Sequence, residues 1–206
     1  SLWGIRIEGG NKVSVDERMV HDIVQKVMAN MQISGSVSGM HGVFKDMNDA
    51  INASIEAQKK VCTMTLDQRE QIISLIRKKT HENAEILANM GVNETGMGNV
   101  GDKILKHHLT ADKVPGTEDI STIAWSGDRG LTLVEMGPFG VIGAITPATN
   151  PSETVICNCI GMLAGGNTVV FNPHPNAKKT TIYTINMINE ASIEAGGPDN
   201  IAVTVE

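Results

Sequence analysis

Apolar positions in this chain recur with two different periods, and the switches between them mark out its elements. The plainest switches fall within residues 137–175. A short apolar run, Val141-Ile142-Gly143-Ala144-Ile145-Thr146, gives way to the turn-rich Pro147-Ala148-Thr149-Asn150-Pro151, and a helical stretch then ends near Gly165-Gly166. A second apolar run, Thr168-Val169-Val170-Phe171, leads into Asn172-Pro173-His174-Pro175. Strand, loop, helix, strand, loop predicts a βαβ unit with a parallel sheet. Such crossovers are right-handed. Both loops are therefore expected at the carboxyl ends of neighbouring strands, where open α/β sheets bind ligands. An amphipathic helix over 177–195, through Ile182, Ile185, Ile188 and Ile193, stops at Gly196-Gly197-Pro198 and precedes a third strand over 201–205. A three-stranded sheet that ends there leaves an edge uncovered. The sequence is therefore expected to be the N-terminal part of a longer protein, unless a partner's strands close the edge.

Upstream, the pattern is helical. Residues 1–12 show no period and read as a natural leader or a vector remnant. Residues 14–32 open with a Ser14/Glu17 capping box and place Met19, Val20, Ile23, Val24, Val27, Met28 and Met31 on one stripe. A Gly/Ser-rich linker over 33–42 follows. Two readings stand for residues 13–32: a first helix packed on its own domain, or a tethered helix that lays its apolar face into a partner's groove. A helix over 46–60 is expected to start at Asp46 and turn Met47, Ile51 and Ile55 inward. Another starts at Thr65, with Gln68 completing a capping box and Leu66, Ile72, Ile73 and Ile76 as its apolar positions. Helix is expected again over 81–90, ending near Gly91, with 93–98 as a break, and a short helix over 102–110 carries Ile104, Leu105 and Leu109. The His107-His108 pair is expected on a solvated face. Runs at 120–125 and 131–136, separated by residues 126–130, predict a β-hairpin, a candidate oligomer contact.

Composition narrows the classes. With 206 residues and 41% apolar content the chain can bury a substantial core, made of aliphatic residues and some of its 11 Met because aromatics are only 3%. A net charge of −6 without a basic patch argues against nucleic acid as a partner. No apolar run approaches the roughly 20 residues of a membrane span. Cys62, Cys157 and Cys159 form an odd set without metal-ligand spacing, and no signal peptide is apparent. Reduced thiols in the cytoplasm, and no metal, are expected. All three cysteines are read as buried structural thiols.

Two loops carry candidate chemistry. Asn150, at a strand-to-helix turn, is either a helix-capping residue before Pro151 or an amide donor to oxygen charge that develops in a transition state. Thr146 and Thr149 are expected to brace that loop through side-chain to backbone bonds. Asn172-Pro173-His174-Pro175 is either a rigid turn or, with the helix N-terminus beyond it, the rim of a phosphate or ribose site. Lys178 and Lys179 oppose the dipole of the helix they begin, unless an anion lies near.

The segment from Pro138 to Pro147 followed by Thr149-Asn150-Pro151 resembles the aldehyde dehydrogenase superfamily. The longer run TPATNPSETVICNCIGMLAGGNTVVFNPHPNAKKTT is similar to its CoA-acylating branch, the ethanolamine- and propanediol-utilisation enzymes and the aldehyde half of bifunctional alcohol/aldehyde dehydrogenases. Glu94-Thr95-Gly96-Met97-Gly98 and Gly127-Asp128-Arg129-Gly130-Leu131-Thr132-Leu133 extend the match, which runs from Gly42 to the end. The resemblance implies an α/β fold: N-terminal helices, part of a doubly wound parallel sheet and a hairpin for oligomerisation, with 43–206 as the N-terminal part of an NAD-binding domain. It places Asn150 in the oxyanion hole, and Thr146, Pro147, Ala148, Thr149, Asn172, Pro173, His174 and Pro175 beside the dinucleotide. Ordinary members carry Lys-Pro-Ser-Glu in the second loop. Here Asn172 and Pro175 stand instead, which fits a branch whose groove serves NAD and CoA in turn.

By the same resemblance, the nucleophilic Cys and the glycine turn for the pyrophosphate lie beyond Glu206, and none of the three cysteines matches the nucleophile. The chain alone is therefore expected to be inactive. The helix and linker resemble encapsulation peptides of bacterial microcompartment enzymes, which implies a shell-protein partner for residues 14–32. The implied substrates are CoA and a short aldehyde, acetaldehyde or propionaldehyde, with a homo-oligomer as the full-length state. Two rivals remain: the aldehyde half of a bifunctional enzyme, and a non-enzymatic docking module.

Overall fold

The computed structural model describes residues 39–206. The expected leader, the helix over 14–32 and most of the linker lie outside the described residues. His41 and Gly42, the linker's last two positions, are held to the body. The His41 backbone N–H donates to Asn186 Oδ1 at 2.8 Å, and its ring pairs with Asp199 at 2.9 Å. Gly42 has φ +76°, and a Cβ there would run into the Asn189 side chain and the Ala202 carbonyl. Only glycine meets both demands.

Strand β1 (Val43–Phe44) is followed by helix α1 (Met47–Val61), whose N-cap Asp46 accepts from the backbone of Asn48 at 2.8 Å and Asp49 at 3.3 Å. The buried face of α1 is Ala50, Ser54, Ala57 and Val61, not the Ile51/Ile55 face expected. Small side chains let the helix lie close on the sheet, where Ser54 Oγ donates to Thr168 Oγ1 at 2.9 Å. The isoleucines sit one position further round, about 100° away.

Helix α2 (Leu66–Thr95) is a single helix of 30 residues, with the Thr65/Gln68 capping box in place and Gly96 at φ 68° as its left-handed C-cap. The expected interruption near Gly91 is absent. Gly91 is buried near the end of that helix, facing the Lys103 side chain of helix α3 (Val100–Lys113), and the helix continues through it to Thr95 despite glycine's low propensity.

A 3₁₀ turn (Thr117–Asp119) leads to the hairpin β2 (Ile123–Gly127) and β3 (Gly130–Val134). Gly127 pairs with Gly130, so the turn is two residues, Asp128-Arg129, tighter than the loop expected. Every residue of both strands is exposed.

The remaining elements are β4 (Val141–Thr146), α4 (Pro151–Ala164), β5 (Thr168–Pro173), a 3₁₀ turn (Pro175–Ala177), α5 (Lys178–Glu194) and β6 (Ala202–Val205). The strand order is β1-β6-β5-β4, all parallel. The fourth strand, β1, is too short for a period to reveal. It covers the edge of β6 that the sequence left open, while the other edge of β4 has no neighbour among the described residues.

Alternation along β5 explains the layers. Val169 and Phe171 join Ile156, Ile160, Ile185, Ile188, Ile72 and Ile76 in the main core beneath α2, α4 and α5. Val170 faces the opposite side, with Val203, Phe44 and Ala50 of α1. Burial on both faces is what a near-continuous apolar strand requires. Cys159 is in the main core, and burial pushes its thiol up to about 12. Cys62 and Cys157 are exposed, contrary to expectation. Cys157 lies on the open side of α4, away from the stripe of Val155, Ile156, Cys159, Ile160 and Leu163.

Candidate active site

Thr146 pairs in parallel register with Pro173, so the turn carrying Asn150 and the turn carrying His174 leave the same rim of the sheet. Asn150 occupies the N-cap position of α4 with Pro151 at N1, yet its side chain makes no capping bond. Its Oδ1 instead accepts from Lys106 Nζ at 3.0 Å. An ammonium has only donors, so the amide oxygen must face the lysine and the NH₂ must point elsewhere. Asn150 borders two hollows of about 300 and 290 Å³. Leu109, Thr154, Cys157 and Asn158 line the first, and Met97, Gly98 and Thr149 help line the second.

Beneath this turn lies a buried polar network that the sequence did not disclose. Lys103 Nζ donates to the Thr149 carbonyl at 2.9 Å and to Glu153 at 3.3 Å, and both side chains of this ion pair are nearly inaccessible. His107 is fully buried, not solvated: its Nδ1 bonds the Lys103 carbonyl at 2.7 Å and its Nε2 the Ser152 hydroxyl at 2.7 Å. The loop is thus braced by a lysine and not by its threonines. Thr146 Oγ1 is buried without a partner, and Thr149 takes part through its carbonyl. The inward stripe of α3 is Lys103, His107 and Ala111, while Leu105 (67%) and Leu109 (59%) are exposed. Reading α3 by its leucines therefore inverted the helix. The partners of Lys103 and Lys106 lie 44 to 50 residues downstream, beyond the reach of any local pattern.

Burial holds the His107 pKa below its ordinary 6.5, against an opposing pull from Glu153. In the neutral ring Nδ1–H donates to the Lys103 carbonyl and Nε2 accepts the single Ser152 hydroxyl proton at 2.7 Å, which the longer 3.2 Å contact to Glu153 then does not receive. Unfolded chains bind that proton at the ordinary pKa, so the unfolded state carries more protons in the acidic window. The contribution of His107 to stability is full above about pH 6.5 and is lost as pH falls towards and through the lowered folded value. Thermal melts between about pH 7.5 and 5.5 should show a smaller loss of Tm for His107→Gln than for the unaltered protein. An equal loss in both would exclude this residue as a source of acid sensitivity.

In the second turn, Asn172, His174 and Pro175 are exposed and Pro173 is buried. His174 Nδ1 accepts from the Asn176 backbone at 3.1 Å, which leaves Nε2 as the ring's remaining polar atom. The N-terminus of α5 is not a vacant anion site. Glu94 accepts from the backbone of Lys179 and Thr180, each at 2.7 Å, and from the Thr180 hydroxyl at 2.6 Å. That carboxylate is the anion that offsets Lys178 and Lys179 at the positive end of the helix dipole.

A parallel βαβ sheet with helices on both faces and two polar turns at one carboxyl rim puts the chain in the class of open α/β folds, which bind ligands at that rim. The aldehyde dehydrogenase family model matches residues 15–205, and the chain belongs to that family. It is 46% identical over 199 residues to an acetylating acetaldehyde dehydrogenase of Bilophila wadsworthia, covering 92% of this chain and 41% of that relative. Among solved structures, it resembles a propionaldehyde dehydrogenase from the Clostridium phytofermentans fucose utilisation bacterial microcompartment, with TM-score 0.79 and 73% identity over 81% of this chain and 38% of that one. It also resembles the Rhodopseudomonas palustris propionaldehyde dehydrogenase with bound propionyl-CoA, with TM-score 0.78 and 47% identity over 80% of this chain and 37% of that one. The chain thus spans well under half the length of these relatives.

Proposed function

We propose that this chain is the N-terminal part of an NAD-dependent, CoA-acylating aldehyde dehydrogenase that converts acetaldehyde or propionaldehyde to the acyl-CoA. The observation that carries this reading is the Asn150 amide, fixed through its oxygen, excused from capping and placed beside an open hollow. Its NH₂ is a preorganised donor for the oxyanion that forms when a thiolate from a later segment attacks the aldehyde carbonyl. Thr146, Pro147, Ala148 and Thr149 from one turn, with Asn172, Pro173, His174 and Pro175 from the other, would hold the dinucleotide. The partnerless buried hydroxyl of Thr146 fits a site completed by a ligand. When bound, NAD supplies the hydride acceptor and CoA the acyl acceptor.

Two partners belong to the same reading. The hairpin's exposed Trp125, Leu131 and Leu133 suit contact with a second copy of the chain. Residues 14–32, which lie outside the described residues, would dock to a microcompartment shell protein. The catalytic reading is tested on the complete polypeptide with acetaldehyde and propionaldehyde, following NADH by absorbance and acyl-CoA by mass. NADH should form with acyl-CoA in equal amounts and depend on CoA. Oxidation to the free acid at the same rate without CoA would exclude the acylating assignment.

A further inference from the structure

We infer that Lys106 is a positioning residue for the reaction: it fixes and polarises the Asn150 amide so that the NH₂ is presented to the developing oxyanion. This rests on the proposed role of Asn150. Lys103 and Lys106 are three residues apart on α3 and so share one side of the helix. They hold consecutive residues of one turn by different atoms. Lys103 takes the Thr149 carbonyl at 2.9 Å, which fixes the backbone, and Lys106 takes Asn150 Oδ1 at 3.0 Å, which fixes the side chain.

Stability does not explain Lys106. It is exposed, it has no carboxylate partner among the described residues, and it stands at the N-terminus of α4, where a cation opposes the helix dipole. The neighbouring Lys103 is neutralised by Glu153 in the first turn of that helix, and Lys106 is not. A positive charge on the amide oxygen draws electron density from the nitrogen and makes its N–H groups stronger donors. An uncharged capping residue would satisfy the turn without doing this. Lys106 also borders both hollows beside Asn150, so the contact lies where a substrate carbonyl would approach.

The test is a double-substitution cycle in the complete polypeptide, reading aldehyde-dependent NADH formation with CoA present. Lys106→Met should lower kcat roughly tenfold, with the KM for aldehyde changed by less than about twofold, as expected for loss of a charge-assisted bond that matters in the transition state. Lys106→Arg, which keeps the charge and the donors, should recover most of that loss. In an Asn150→Ala background, Lys106→Met should cause no further loss, because the group it acts through is gone. Three results overturn the inference while leaving the role of Asn150 intact: full kcat in Lys106→Met, no recovery with Arg, or an undiminished tenfold loss in the Asn150→Ala background. A fully active Asn150→Ala enzyme removes the underlying reading and this inference with it.

Discussion

Asn150→Ala in the complete polypeptide is expected to lower kcat by roughly 10²- to 10³-fold, the usual cost of losing one oxyanion donor. The effect should fall on kcat and kcat/KM together, because the bond strengthens only as charge develops on the carbonyl oxygen. Stability should change little: the side chain makes no capping bond, and its one hydrogen bond is to an exposed lysine. Unfolding midpoints near those of the unaltered protein, beside a collapsed kcat, would separate chemistry from folding. A matched loss of both would instead make Asn150 a residue of the fold.

The second large effect is on stability. Glu153→Ala is expected to destabilise the protein by about 3–5 kcal/mol, because it leaves the Lys103 ammonium charged and nearly inaccessible without its counter-ion. Replacing both partners, Lys103→Met with Glu153→Leu, should cost less than Glu153→Ala alone, since no uncompensated charge is then buried. Denaturant unfolding of the three proteins decides it: a neutral Glu153→Ala, or a double variant weaker than the single, would refute the account. The double variant loses the donor to the Thr149 carbonyl as well. It should therefore remain slow in catalysis even where it is stable, which distinguishes bracing of the turn from stabilisation of the fold.

Signals carried within one turn of chain were legible. Asp46 and the Thr65/Gln68 pair sit where their capping geometry required, and three of the four strands of the parallel sheet lie where the apolar runs put them. Signals that depend on what packs against a helix were not. The leucines of α3 and the isoleucines of α1 are the more hydrophobic faces of those helices, yet both are exposed in this chain, and smaller or polar faces are buried. Glycine at position 91 marks an end in an isolated helix, whereas here the helix is packed against its neighbours and runs on to Thr95. Asn150 was ambiguous on pattern, and it was the likeness of its surrounding run to a family that favoured the amide-donor role.

The sequence alone determined three of the four parallel strands, the caps at Asp46 and Thr65, and the family, because these follow from periodicity and from motifs a few residues long. Tertiary structure decided that Asn150 is spared from capping, that Glu94 occupies the α5 N-terminus, and that Lys103 and Lys106 grip the turn. Each of these joins residues 44 to 86 positions apart. Polar contacts of that span are made only when the sheet and its helices bring them together, and no local pattern encodes them.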